Sequence, residues 1–197
     1  FENLYNTNNS ETAALNELPT AFDYIRLGHP LSCILEWAIA RLNGIAPENV
    51  ISFSSKTMPI LAILRKNLLA DKKTQILYVE ELPSYLNLEL LRNIYGYQFE
   101  VKKIENKNEI SNFNGSTIFI SLQEEFGTLD ITPNVDFYIN LHPELGSIIL
   151  ANGNQNESYI SEIQHVRRRE TVAMTPANCY AALSLLTKQF AKVEKDN

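Results

Sequence analysis

Glycine is scarce in this chain, at 7 among 197 residues. Neither a Gly-x-x-x-x-Gly-Lys loop nor a Gly-x-Gly-x-x-Gly turn is present, which excludes the phosphate cradles that depend on glycine. Histidine occurs three times, as His29, His142 and His165. No Cys/His cluster has metal-ligand spacing, so no metal site is expected. No Gly-x-Ser-x-Gly elbow is present either. The only cysteines are Cys33 and Cys179. Each falls in an apolar-periodic segment, so two reduced, buried thiols in a cytosolic protein are expected, rather than a disulfide. No apolar run approaches the roughly 18 residues of a membrane span, so no membrane insertion is expected. The chain opens at Phe1 without a charged segment leading into an apolar one, so no secretory leader is expected. Basic residues are outweighed, and the net charge of −6 argues against nucleic acid or an anionic membrane as partner.

What is present is ordinary for a folded domain, with 45% hydrophobic and 20% charged residues. Residues 1–19 hold "NTNNS" and little periodicity, so they are expected as a flexible N-terminal arm. A single α/β domain is expected over 20–193, and a tail over 194–197. From Leu31, apolar residues recur at Ile34, Leu35, Ala38, Ile39 and Leu42, the period of an amphipathic helix. Pro30 suits its first turn and Gly44 its stop. Strands are predicted over Asn49–Ser55, Gln75–Glu81, Tyr97–Ile104, Thr117–Ser121, Val135–Leu141 and Ser147–Ala151. Helices are predicted over Met58–Leu69, Tyr85–Gly96, Glu157–Arg169 and from Pro176 to about Val193. Strands alternating with helices imply a mostly parallel sheet covered on both faces. The Leu141–Ser147 connection is too short for a parallel crossover, so a hairpin makes the sheet mixed. The predicted fold class is therefore α/β, a three-layer mixed but mostly parallel sheet flanked by helices.

Two stretches are candidates for chemistry. "VDFYINLHPELGSIIL" (Val135–Leu150) sets His142 and Glu144 in a turn at a strand end, where an α/β enzyme often holds an acid/base pair. Two residues apart around a turn, they need not face each other, and a solvated hairpin turn is the alternative. "HVRRRE" (His165–Glu170) packs three arginines in a predicted helix, as a solvated face, an ion-pair cluster or an interface.

The stretch "YIRLGHPLSCILEWAIARLNG" (Tyr24–Gly44) resembles the opening of the Cys/Met-metabolism family of pyridoxal-phosphate enzymes, the cystathionine γ-synthase and γ-lyase group. Tyr24, Arg26, Gly28, Pro30, Leu35, Glu36, Leu42 and Gly44 match that family's pattern. "FSSKTMPILAILRKNLL" resembles its cofactor-phosphate segment, with Lys56 and Thr57 in place of a Gly-Met pair. "VDFYINLHPELGSIIL" resembles its "Ala-Asp … His-Ser-x-x-Lys" region, and "RRRETVAMTPANCYAALSLL" the helix and turn beyond. The resemblance spans about residues 20–190. It implies the large domain of fold-type I pyridoxal-phosphate transferases, a Schiff-base lysine near Gly146, and a carboxylate on the pyridine nitrogen. It also implies that Tyr24 and Arg26 reach a neighbouring subunit's phosphate; the alternative is that they only tie the N-terminal arm to the body. Yet no lysine lies between Lys107 and Lys188, and "SLQEEFGTLD" offers no clear carboxylate. The central region looks shortened by one strand–helix unit, and the family's small C-terminal domain has no counterpart in these residues.

Pyridoxal-phosphate chemistry needs both the lysine and the carboxylate. The expectation is therefore a cytoplasmic, non-catalytic pseudoenzyme with no cofactor, and no residue is assigned to catalysis, cofactor or metal. Its partners are expected to be proteins in a hetero-complex, as for an adaptor or regulatory subunit. An Asn- and Ile-rich composition points to an AT-rich bacterial genome and to a secretion or virulence complex. The alternatives are a truncated subunit completing the site of an active relative, or a small-anion binder using the Ser54–Thr57 turn.

Overall fold

Ile118 and Phe119 leave one strand in opposite directions, and each enters a different apolar layer. The computed structural model describes residues 2–17 and 28–193. It repeats that alternation across a six-stranded sheet. The strands are β1 (Val50–Phe53), β2 (Thr74–Tyr78), β3 (Glu100–Lys103), β4 (Ser116–Leu122), β5 (Phe137–His142) and β6 (Gly146–Ala151). Their order is β1-β6-β5-β4-β2-β3. β3, β2, β4 and β5 run parallel, and β6 pairs antiparallel with both β5 and β1. The mixed, mostly parallel sheet and its hairpin after Leu141 thus stand as the sequence predicts.

One face carries α4 (Met58–Leu69), α5 (Leu88–Asn93) and α6 (Glu157–Arg169). Their Ile60, Ile63, Leu91, Tyr159 and Ile163 pack on Phe53, Ile76, Ile118 and Ile139 of the sheet. The other face carries α3 (Pro30–Leu42) and α7 (Pro176–Val193), whose Leu35, Ile39, Cys179 and Leu186 pack on Phe119, Tyr138, Ile148 and Leu150. Full burial of each aliphatic side chain is worth about 1.5–3 kcal/mol, so the sheet is held from both sides. The three predicted layers are present.

Several elements differ from their sequence patterns. The helix predicted from Tyr85 starts only at Leu88, because the Asn87 side chain accepts the amide of Leu90 (2.9 Å) and caps it there. The strand predicted over Tyr97–Ile104 pairs only over Glu100–Lys103, while Tyr97 and Phe99 pack inward as the chain enters the sheet. The N-terminal arm is not irregular throughout: α1 (Glu2–Asn6) and α2 (Thr12–Asn16) each form a five-residue helix.

One connection matters for the site. β4 and β5 are parallel neighbours, and such pairs are ordinarily joined through a helix. Here residues 123–136 cross over without one. Phe126 and Val135 from this segment are buried in the α3/α7 layer, in the place a crossover helix would fill.

Candidate functional site

The carboxyl ends of parallel strands form the usual ligand crevice of an α/β sheet. His142 closes β5 at that edge and is buried. Its Nδ1 accepts the backbone amides of Glu144 (3.1 Å) and Leu145 (3.1 Å). Its Nε2 lies 3.0 Å from the carbonyl of Glu124. Two amide donors at Nδ1 place the ring proton on Nε2, which donates to that carbonyl. Both nitrogens are thus committed to the backbone, and the Glu144 side chain is exposed. The predicted acid/base pair is not assembled: Glu144 meets His142 through its amide, not its carboxylate. Nor is the turn merely solvated, since its histidine is buried. His29 repeats the arrangement at the start of α3, accepting the amide of Ser32 (3.2 Å) and donating to the carbonyl of Met174 (2.9 Å). Both are structural caps.

The side chains that point with His142 toward the α3/α7 layer hold the helix-free crossover. Asn140 donates to Gln123 (2.9 Å) and to the carbonyl of Glu125 (3.3 Å). The Tyr138 hydroxyl accepts the amide of Thr132 (2.7 Å). Asn43, just beyond α3, donates to the carbonyl of Gly127 (3.1 Å) and accepts the amide of Leu129 (2.6 Å). The residue at the end of β4 is therefore a neutral Gln123 bound to a neutral Asn140. Glu124 and Glu125 beside it point to solvent.

The hairpin turn then meets β1. Gly146 has φ +114°, a region that side chains rarely adopt. A Cβ there would stand 2.1 Å from the carbonyl oxygen of Phe53. Ser147 donates to the carbonyl of Ser55 (2.6 Å), drawing the hairpin onto the turn between β1 and α4. In that turn the Ser55 hydroxyl accepts the amides of Thr57 (3.3 Å) and Met58 (3.1 Å). Pro59 follows and has no amide to offer. Two of the amide donors at the start of α4 are thus taken and a third is missing. Lys56 donates to the carbonyl of Pro143 and lies over the Tyr85 ring (5.5 Å), bridging the crevice.

The arginine cluster divides. Arg168 and Arg169 are exposed, whereas Arg167 is buried and pairs with Glu36 (2.7 Å). Glu36 also accepts the amide (2.8 Å) and hydroxyl (2.6 Å) of Ser52, so three donors converge on its Oε1. Removing one partner of such a buried pair strands the other charge, at a cost of about 3–5 kcal/mol. The solvated-face expectation fails at this one residue. Its inward direction was legible, since Arg167 follows Tyr159, Ile163 and Val166 at helical spacing. Cys179 is buried and Cys33 only partly, and neither forms a disulfide. Burial, with Glu36 nearby, pushes the Cys179 thiol up to about 12 and raises that of Cys33. Neither is an activated nucleophile. Among the described residues, no group of three or more His, Cys, Asp or Glu side chains could hold a metal, and no helix is long and apolar enough to cross a membrane. Tyr24 and Arg26 lie outside the described residues.

No family model and no curated protein matches the chain. Solved structures do. MetB from Corynebacterium glutamicum superposes with a TM-score of 0.51 at 15% identity, over 86% of this chain and 54% of that one. Cystathionine gamma synthase from Xanthomonas oryzae pv. oryzae gives 0.58 at 12% identity, over 87% and 54%. A candidate L-allo-threonine aldolase from Listeria monocytogenes gives 0.53 at 12%, over 90% and 63%. The chain has the fold of the fold-type I pyridoxal-phosphate enzymes. It spans between about half and two thirds of the length of those three structures.

The residues of this crevice do not fit the cofactor such enzymes carry. The position four residues after His142, where the resemblance calls for the lysine, is Gly146, pressed against Phe53. The segment after β4, where the resemblance looks for the carboxylate, holds Gln123 bound to Asn140, while Glu124 and Glu125 are exposed. Ser55 holds two of the amides at the start of α4, where the resemblance places the phosphate.

Proposed function

We propose that this chain is a catalytically silent member of the pyridoxal-phosphate fold that acts by binding other proteins, as an adaptor or regulatory subunit of a larger assembly. The observation that carries this reading is Gly146. A site that had lost its lysine by a single substitution would keep room for a side chain. Here the backbone of β1 stands in that room. His142 and Ser55 support the same reading, because their side-chain acceptors at the crevice are taken by backbone amides of the protein itself. A fold kept without its chemistry leaves its surface for use. A cytoplasmic setting belongs to the proposal and rests on the two free thiols. The narrower setting of a bacterial secretion or virulence complex rests on composition alone.

The test has two arms. Purified protein is mixed with excess pyridoxal phosphate, desalted and scanned for a bound pyridoxal chromophore; none is expected. The tagged chain is then recovered from its native cell, and a stoichiometric protein partner is expected. A chromophore that survives desalting would overturn the loss of cofactor binding. Recovery of the chain alone would overturn the adaptor role.

A further inference from the structure

Trp37 is the single tryptophan of the chain, and it is half-buried. It lies on α3 beside a groove of about 350 Å³ formed with α7, floored by Ile34, Leu42, Leu183 and Leu186. Among the described residues, the one charged side chain lining this groove is Arg41, which is exposed. α1 stands at the rim. The Tyr5 ring meets Trp37 edge-on, with centroids 5.1 Å apart and planes at 69°. Tyr5 is nevertheless 54% exposed, and α1 buries none of its residues. A five-residue helix is not stable in water by itself. The Tyr5 ring is its aromatic contact with the groove, and an acid, Glu2, stands in its first turn.

We propose that the α3/α7 groove docks an amphipathic helix of a partner protein, one with an aromatic anchor and an acidic first turn, and that α1 is the chain's own weak placeholder for it. This rests on the adaptor reading and names the surface that would serve it. The apolar floor selects an apolar helix face, and Arg41 selects an acid at one end. α1 carries the same two residue types, Glu2 three positions before Tyr5. The groove retains its volume with Tyr5 at the rim, so a helix with a second apolar anchor fills it better and displaces α1.

The single tryptophan makes the groove visible by fluorescence in the full-length chain. The probe is a synthetic peptide of residues 2–17, which contains no tryptophan. The exposed substitution Tyr5→Ala is expected to shift Trp37 emission to the red, and the peptide to reverse the shift. The peptide should bind the Tyr5→Ala chain about three- to tenfold more tightly than the unaltered chain, the worth of one edge-to-face contact removed from competition. Arg41→Glu should weaken it, and a Tyr5→Ala peptide should not bind. Emission indifferent to Tyr5→Ala, or no peptide binding to either chain, overturns the proposal. Self-association that Tyr5→Ala abolishes would also overturn it, assigning the groove to a second copy instead. Native partner recovery that survives Leu183→Glu would remove the groove and leave the adaptor reading intact.

Discussion

Gly146 and Cys179 show how single residues set what this protein can do. At Gly146 two constraints coincide, a backbone angle of +114° and a carbonyl 2.1 Å from where a Cβ would be. Gly146→Ala must move β1 or the hairpin, and a loss of about 2–4 kcal/mol is expected from strain and clash together. A shift of the urea midpoint measures it; an unchanged midpoint would mean that the two strands yield freely. Gly146→Lys should fare no better, for the same reason. Cys179 couples the fold to alkaline pH. Its folded thiol ionises near 12, against an ordinary value of 9.0, because burial disfavours the thiolate. Between those values the unfolded chain releases the proton and the folded one keeps it. This contribution is therefore intact below about 9 and is lost progressively as pH rises toward 12. Wild-type protein should lose more stability across that window than Cys179→Ala; parallel curves would refute the assignment.

At the scale of elements, the helix-free crossover between β4 and β5 is held by side chains rather than by its own backbone ladder. His142, Asn140, Tyr138 and Asn43 each bond to its main chain. His142→Ala frees the buried amide of Leu145, the part-buried amide of Glu144 and a carbonyl at once, for which about 2–4 kcal/mol is expected. The loss should be local as well as global. Amide exchange should rise over residues 123–129 and at Leu145 well before the sheet exchanges, and uniform protection would contradict this role. His142→Ala also separates the two readings of the turn. A catalytic histidine could be lost with little stability change, and a cap could not.

For the whole molecule, the sheet is shared by both cores. Ile118 and Phe119 are adjacent in β4, as are Ile148 and Ile149 in β6, and each pair serves opposite layers. Neither layer can melt without stripping the sheet that supports the other. Leu35→Ala in α3 and Ile63→Ala in α4 should each cost about 2–5 kcal/mol. Both should lower the same single transition, with secondary and tertiary circular dichroism falling together. Two separated transitions would show that the layers fold independently. The free edge of the sheet is guarded in the usual manner, since Glu100, Lys102 and Lys103 of β3 are exposed charges.

The sequence by itself determined the periodic features: five of the helices, the strand order of hydrophobicity, the hairpin after Leu141, and the absence of lysine from Lys107 to Lys188. Each is a local pattern of residue type and spacing, and local backbone geometry enforces it. The shortened α5 was less legible, because a single Asn87 cap overrode a longer apolar run. Tertiary structure alone decided that Gly146 is sealed by Phe53, that His142 spends both nitrogens on the backbone, and that Arg167 finds Glu36 across 131 positions. Those contacts join residues far apart in the chain. No local periodicity encodes such meetings; only packing of the completed layers brings the groups together.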